Sequence, residues 1–109
     1  MTRLTTRFRV DAYIARLRGQ GIPCFVVAHG DDMAGAVLVK LNTLDGRAIC
    51  FHSIFDLNAD ARIWAILAKG PEAKVDHAVA RQSKFDPDLW VLEVEDRSGQ
   101  HLPCADGLA

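Results

Sequence analysis

The sequence predicts an α+β fold: a mostly antiparallel sheet of four or five strands with two helices on one face, in the order α-β-β-β-β-α-β. Three observations carry that prediction. Residues 6–19 and 71–84 place apolar side chains at three- and four-residue steps, the period of a helix with one buried stripe. Between and after them lie short runs of β-branched and aromatic residues bounded by turn dipeptides. One such boundary, Asp45-Gly46, is a strong hairpin signal, because Gly and Asp tolerate the positive φ that tight turns demand.

The first helix rests on Val10, Tyr13, Ile14 and Leu17, with Thr6 as the expected cap and Gly19 or Gly21 as the stop. Residues 23–29, PCFVVAH, read as a strand, and GDDMAG as the turn after it. Residues 35–43 and 47–55 read as the two strands of the hairpin. With Asp45 and Gly46 as the two central residues of a type I′ turn, Val39 would face His52 and Leu41 would face Cys50. That register gathers Val37, Val39 and Leu41 with Ile54, His52, Cys50 and Ala48 on a nearly apolar face, the one expected to meet the helices. It leaves Leu38, Ile49, Phe51 and Phe55, with Lys40, Asn42, Ser53 and Arg47, on a mixed face. Residues 58–70, NADARIWAILAKG, fit a helix capped by Asn58 or a buried strand, since periodicity does not separate the two. In the second helix Pro71 suits the first turn and Glu72 complements the N-terminal dipole. The last strand starts after Asp86-Pro87, with Trp90, Leu92 and Val94 pointing one way and Val91, Glu93 and Glu95 the other.

A chain of 109 residues is one domain by length, with a core expected over about 3–97 and a tail over 98–109. Half the residues are hydrophobic and the net charge is −1, so neither disorder nor a strongly charged partner is indicated. The charge is uneven along the chain. Residues 1–20 carry five arginines (Arg3, Arg7, Arg9, Arg16, Arg18) against Asp11, and residues 85–109 carry six acids against Arg97. The three cysteines, Cys24, Cys50 and Cys104, form no CxxC pair. No apolar run approaches the ~18–20 residues of a membrane span, and the arginine-bearing N-terminus has no apolar stretch of the signal-peptide kind. A cytosolic protein with reduced thiols follows.

Candidate chemistry concentrates in FDPDLWVLEVED. Asp86, Asp88, Glu93 and Glu95 are the candidate binding residues, Glu93 and Glu95 lying ~6–7 Å apart along one strand face, a spacing that can flank a hard cation or divide acid and base roles. Strand alternation accounts for the same acids without chemistry. His29 with Asp31 and Asp32 is a possible metal corner that is also ordinary turn composition. His52, near Cys50, reads as a hydrogen-bonded core histidine, and Cys24 and Cys50 as small buried hydrophobes. No GxSxG, HExxH, GxGxxG or P-loop motif is present.

GAVLVKLNTLDG followed by FDPDLWVLEVEDR resembles the bacterial family known as domain of unknown function 1491, over about residues 3–97. The resemblance implies no activity, cofactor or ligand. It does imply a strand where this chain has RIWAIL. The reading that results is a non-enzymatic cytosolic binding or interaction module with no cofactor and no metal. It is expected to pair as a homodimer through Leu38, Ile49, Phe51 and Phe55, because two helices on one face leave the mixed face uncovered. Nucleic acid and membrane are not the expected partners. The alternatives are a nucleic-acid accessory protein using the arginine-rich helix, and a metal-dependent hydrolase using the acids of residues 86–95.

Overall fold

The computed structural model describes residues 4–101 together with Pro103 and Leu108. The elements run α1 (Thr6–Gly19), β1 (Cys24–Ala28), β2 (Val37–Asn42), β3 (Arg47–Asp56), β4 (Ala61–Pro71), α2 (Glu72–Phe85) and β5 (Trp90–Glu95). This is the α+β order expected. The five strands form one sheet in the order β1-β5-β2-β3-β4. Every neighbouring pair is antiparallel except β2 with β5, which is inserted between β1 and β2 and runs parallel to β2.

The contested segment is a turn over residues 58–60 and a strand from Ala61 onward. Asn58 sits in the β3–β4 turn, where its amide donates to Asp56, and Asp60 takes a left-handed conformation (φ 49°) to close the hairpin. The turn uses the residue that would have capped a helix, and the β-branched and aromatic side chains of Ile63, Trp64 and Ile66 then extend along β3. In α1 the cap falls one residue earlier than expected. Thr5 accepts from the Phe8 amide at 3.1 Å, while the Thr6 hydroxyl is buried and donates to the Gly35 carbonyl at 2.9 Å.

Two expectations need correction, the register of the hairpin and the placement of the helices. The β2–β3 turn is longer by a residue than a two-residue type I′ turn. Thr43 and Arg47 form the closing pair, Leu44 and Gly46 both have positive φ (62° and 84°), and Asp45 accepts from Thr43 Oγ1 and the Arg47 amide. Asn42 also accepts from the Leu44 amide at 2.8 Å, which fixes the leucine in its strained conformation. The added residue shifts the register so that Val39 faces Phe51 and Leu41 faces Ile49. A one-residue slip exchanges the faces of β3.

The helices are also not on one face of the sheet. Val10, Tyr13 and Leu17 of α1 pack with Val37, Val39, Leu41, Phe51, Trp90, Leu92 and Val94, and Leu108 joins this core. Val75 of α2 packs on the opposite face with Leu38, Ala48, Cys50, Leu89 and Val91. All six residues of β2 are buried as a result. A strand covered on both sides has no wet face, and the β2 residues of the expected mixed face, Leu38, Lys40 and Asn42, lie beneath α2.

Trp90 lies in the α1-side core, only 2% exposed, and donates from Nε1 to the Asp31 carbonyl at 2.8 Å. The loop over residues 29–36 wraps it. His29 lies against the indole with ring centroids 4.0 Å apart, and Gly30 and Gly35 approach so closely that a Cβ at either would collide with the Asp88 carbonyl oxygen. The same loop offers its Asp32 and Met33 carbonyls to the first amides of α1.

Candidate functional site

The sheet places two polar sites. The first is built on β2. Lys40 points toward α2 in a strand where every residue is buried, and its side chain is 6% exposed. An ammonium there is costly unless it is paired. Its Nζ lies 2.6 Å from Glu72 Oε2, 2.6 Å from Asp76 Oδ1 and 3.3 Å from Glu93 Oε1. The geometry follows from two periods. Glu72 and Asp76 are one turn apart in the start of α2, and Glu93 is the direct cross-strand neighbour of Lys40 on β5. Asn42, two residues on along β2, donates to Glu72 and Glu93 at 3.2 and 3.4 Å. Burial pulls the Lys40 pKa down, but the hydrogen bonds to Asp76 and Glu72 and the charge of Glu93 outweigh it and hold the lysine well above its ordinary range. This cluster locks α2 to the sheet.

The second site is a cleft of about 580 Å³. β2 is registered against β3 only as far as Leu38–His52, whereas β3 continues to Asp56 beside β4. The end of β3 therefore has a strand on one side and none on the other, and the cleft opens beside it. Its lining comes from both layers: Thr6 and Arg9 of α1, the loop from Met33 to Ala36, His52 and Ser53 of β3, Arg62 and Trp64 of β4, and Gln82 and Asp86 at the end of α2. Arg62 folds back over β3. It donates from Nε to Ser53 Oγ and from one Nη to the Ser53 carbonyl, both at 3.2 Å. Arg9 donates to the Leu108 carbonyl at 3.2 Å. His52 is half-buried, and its imidazole hydrogen-bonds no other described residue.

The expected site residues disperse. Asp86 caps the end of α2, accepts from the Asp88 amide, and lines the cleft; Asp88 is exposed. Glu93 belongs to the Lys40 cluster, and Glu95 stands further along the strand toward its C-terminal end. Asp86 and Asp88 thus lie before β5 and the two glutamates within it, and among the described residues no group of three or more His, Cys, Asp or Glu side chains could hold a metal ion. The four expected interface residues do not share a surface either. Leu38 is in the α2-side core, Phe51 in the α1-side core with Ile49 packed against it, and Phe55 alone is half exposed.

The arginines of α1 stay largely at the surface and pair locally. Arg7 reaches Asp11 and Asp32 at 3.8 and 3.7 Å, and Arg18 donates to the Cys24 carbonyl. His29 is paired with Asp32 at 2.7 Å. Arg3 and Cys104 lie outside the described residues. Cys24 and Cys50 are free and buried, and burial pushes their thiols up to about 11 and about 12, far from the thiolate that nucleophilic chemistry needs. Asp96 is 6% exposed and organises the chain after β5. It accepts from the Ser98 hydroxyl, the His101 ring and the amides of Ser98, Gln100 and His101, and these bonds overcome burial to hold its carboxyl well below the usual range.

Lys40, Asn42 and Asp76 went unassigned in the sequence reading, as did His52, Arg62 and Trp64 in their role as cleft lining. The one signal available for the first group was a lysine inside the apolar run GAVLVKLNT. Trp64 and Arg62 fell in the segment whose secondary structure periodicity left open.

A mixed sheet with one helix on each face, a charge cluster under α2 and a cleft beside β3 define a compact α+β protein without a recognisable catalytic constellation among the described residues. The chain belongs to the family described as "Protein of unknown function (DUF1491)", whose profile matches residues 4–103. It is similar to the crystal structure of a DUF1491 family protein from Caulobacter crescentus CB15, at 36% identity over 90% of each chain with a TM-score of 0.78. An NMR structure of a DUF1491 family protein from the same organism matches at 35% identity over 93% of each chain, also with a TM-score of 0.78. The solution structure of protein Atu0922 from A. tumefaciens is similar at 26% identity, covering 94% of this chain and 91% of that one, with a TM-score of 0.74. No curated protein matches the chain. None of the helices among the described residues is long and apolar enough to cross a membrane.

Proposed function

We propose that this protein is a small, non-enzymatic cytosolic binding module whose ligand occupies the cleft beside β3. The observation that carries the reading is the cleft itself: its ~580 Å³ falls within the ~300–1,000 Å³ of small-molecule sites, and it combines apolar walls with a few converging polar groups. The perturbed charged groups Lys40 and Asp96 are absent from the cleft lining and are saturated by their own partners, and the two described thiols are buried. That distribution supports holding a ligand over transforming one. A thermal-shift screen of small soluble compounds tests it, beside Gln82→Trp, which places a bulky side chain at the rim from an exposed helical position. Compounds that stabilise the wild type and fail on the variant support the reading. Equal stabilisation of both, or no stabilising compound, counts against it.

Self-association is a second reading with its own observation. β4 is an outer strand of the sheet, eleven residues long, and Ile63 and Ile66 on it are 38% and 54% exposed. A long apolar edge of this kind invites pairing with another strand, and a twofold copy of β4 would cover it. Sedimentation of the wild type beside Ile66→Lys separates the cases: a dimer dissociated by the lysine supports this reading, and a wild-type monomer at high concentration removes it.

A further inference from the structure

The lining of the cleft has a chemical bias that narrows its ligand, an inference that rests on the binding reading above. Its charged residues are Arg9, Arg62 and Asp86, a surplus of one positive charge. Arg62 spends Nε and one Nη on Ser53, and its other Nη has no partner among the described residues. The imidazole of His52, also in the lining, likewise bonds no other described residue. A guanidinium anchored on one edge and open on the other presents a fixed pair of donors, the geometry that suits a carboxylate or phosphate. Because Arg62 is already held by Ser53, little side-chain freedom remains to be lost when an anion arrives.

The remaining lining is apolar. Trp64 packs against the α1-side core, Leu89 belongs to the α2-side core, and Leu4 and Met33 stand 60% and 68% exposed at this site. An inorganic anion alone would leave those surfaces in water. We propose that the cleft binds a small molecule with one anionic group, carboxylate or phosphate, on an apolar body, the anion meeting Arg62 and the body covering Trp64, Leu89 and Met33.

The test is calorimetric titration of the full chain with matched acid and amide pairs: benzoate and benzamide, 4-phenylbutyrate and 4-phenylbutanamide. Phenyl phosphate and inorganic phosphate run alongside to distinguish the two anion sources. Charge-assisted hydrogen bonds predict that the acid or phosphate ester binds roughly tenfold or more tightly than the amide at low salt. The preference should shrink as salt rises and should vanish in Arg62→Gln, whose site is exposed and whose fold is checked by circular dichroism. Amides that bind as well as acids would overturn the anion assignment and leave the cleft as a neutral site. An acid preference that survives in Arg62→Gln would overturn the role of Arg62. Absence of binding by every acid, amide and ester would overturn this inference, whereas stabilising hits blocked by Gln82→Trp would still uphold the cleft. Inorganic phosphate binding as tightly as phenyl phosphate would overturn the apolar half.

Discussion

Replacing Lys40 with methionine should destabilise the protein strongly at neutral pH and much less in mild acid. The substitution keeps the length and apolar stem of the side chain and removes the ammonium. Glu72, Asp76 and Glu93 then face one another around the position the cation held. Removing one partner of a fully buried ion pair costs about 3–5 kcal/mol. Here the cation is 6% exposed but the acids are 38%, 54% and 21% exposed, so solvent relieves part of the repulsion and ~2–4 kcal/mol is the expected loss. With a urea slope of about 2 kcal/mol/M, the midpoint should fall by about 1–2 M. As pH drops toward 4 the stranded carboxylates can take up protons, so the gap between wild type and variant should narrow. Lys40→Met combined with Glu93→Gln should regain part of the loss by removing one stranded charge. Equilibrium unfolding at pH 7 and pH 4.5 provides all three comparisons. A variant within 0.5 kcal/mol of wild type at pH 7, or a gap unchanged by pH, would refute the claim that this cluster fastens α2 to the sheet.

Three further outcomes follow from the packing. Trp90→Ala should cost about 3–5 kcal/mol, since a buried indole and its bond to the Asp31 carbonyl are lost together; a stability loss below 1 kcal/mol in chemical denaturation would contradict the core assignment. Gly35→Ala should cost about 1–3 kcal/mol, because its Cβ meets the Asp88 carbonyl oxygen and must push the loop off Trp90; near-ultraviolet circular dichroism should report the disturbed tryptophan. Asp96→Asn should cost about 1–3 kcal/mol at pH 7. Because the Asp96 pKa is depressed in the folded chain, its contribution is present above the unfolded value of ~3.9 and is lost as pH falls through the folded one. The difference between wild type and Asp96→Asn should therefore persist down to about pH 4 and shrink below it, as thermal unfolding across pH will show.

Outside residues 58–70, where the family resemblance and not periodicity implied the strand, the order was legible because each element carries its own local period, and the last strand was legible to the side chain: Trp90, Leu92 and Val94 do face one core and Val91 the other. The β2–β3 hairpin shows where such reading stops. Asp45-Gly46 located the turn, but the loop length depends on Asn42 and Asp45 bonding the turn amides, an effect that composition does not reveal. That single residue exchanged the faces of β3, divided Leu38 from Phe51 and hid both. Coverage of the second face by α2 was likewise invisible, since helix placement is set by chain crossing and not by periodicity. Lys40 stood out only as a polar residue in an apolar run; its partners Glu72 and Asp76 lie 32 and 36 positions away. The cleft exists because β3 outruns its pairing with β2, and strand-length mismatch is a property of the assembled sheet.

The central claim, a ligand site beside β3, is tested most directly by mapping bound fragments on the protein in solution. Amide and indole resonances of isotopically labelled protein, followed through titration with the phenyl acids, report contact residue by residue. The account predicts saturable shifts concentrated at His52, Ser53, Arg62, the Trp64 indole and Leu89, with the amides of β1 at the far side of the sheet unmoved. Saturable shifts centred elsewhere, or no saturable shift at millimolar ligand, would contradict it.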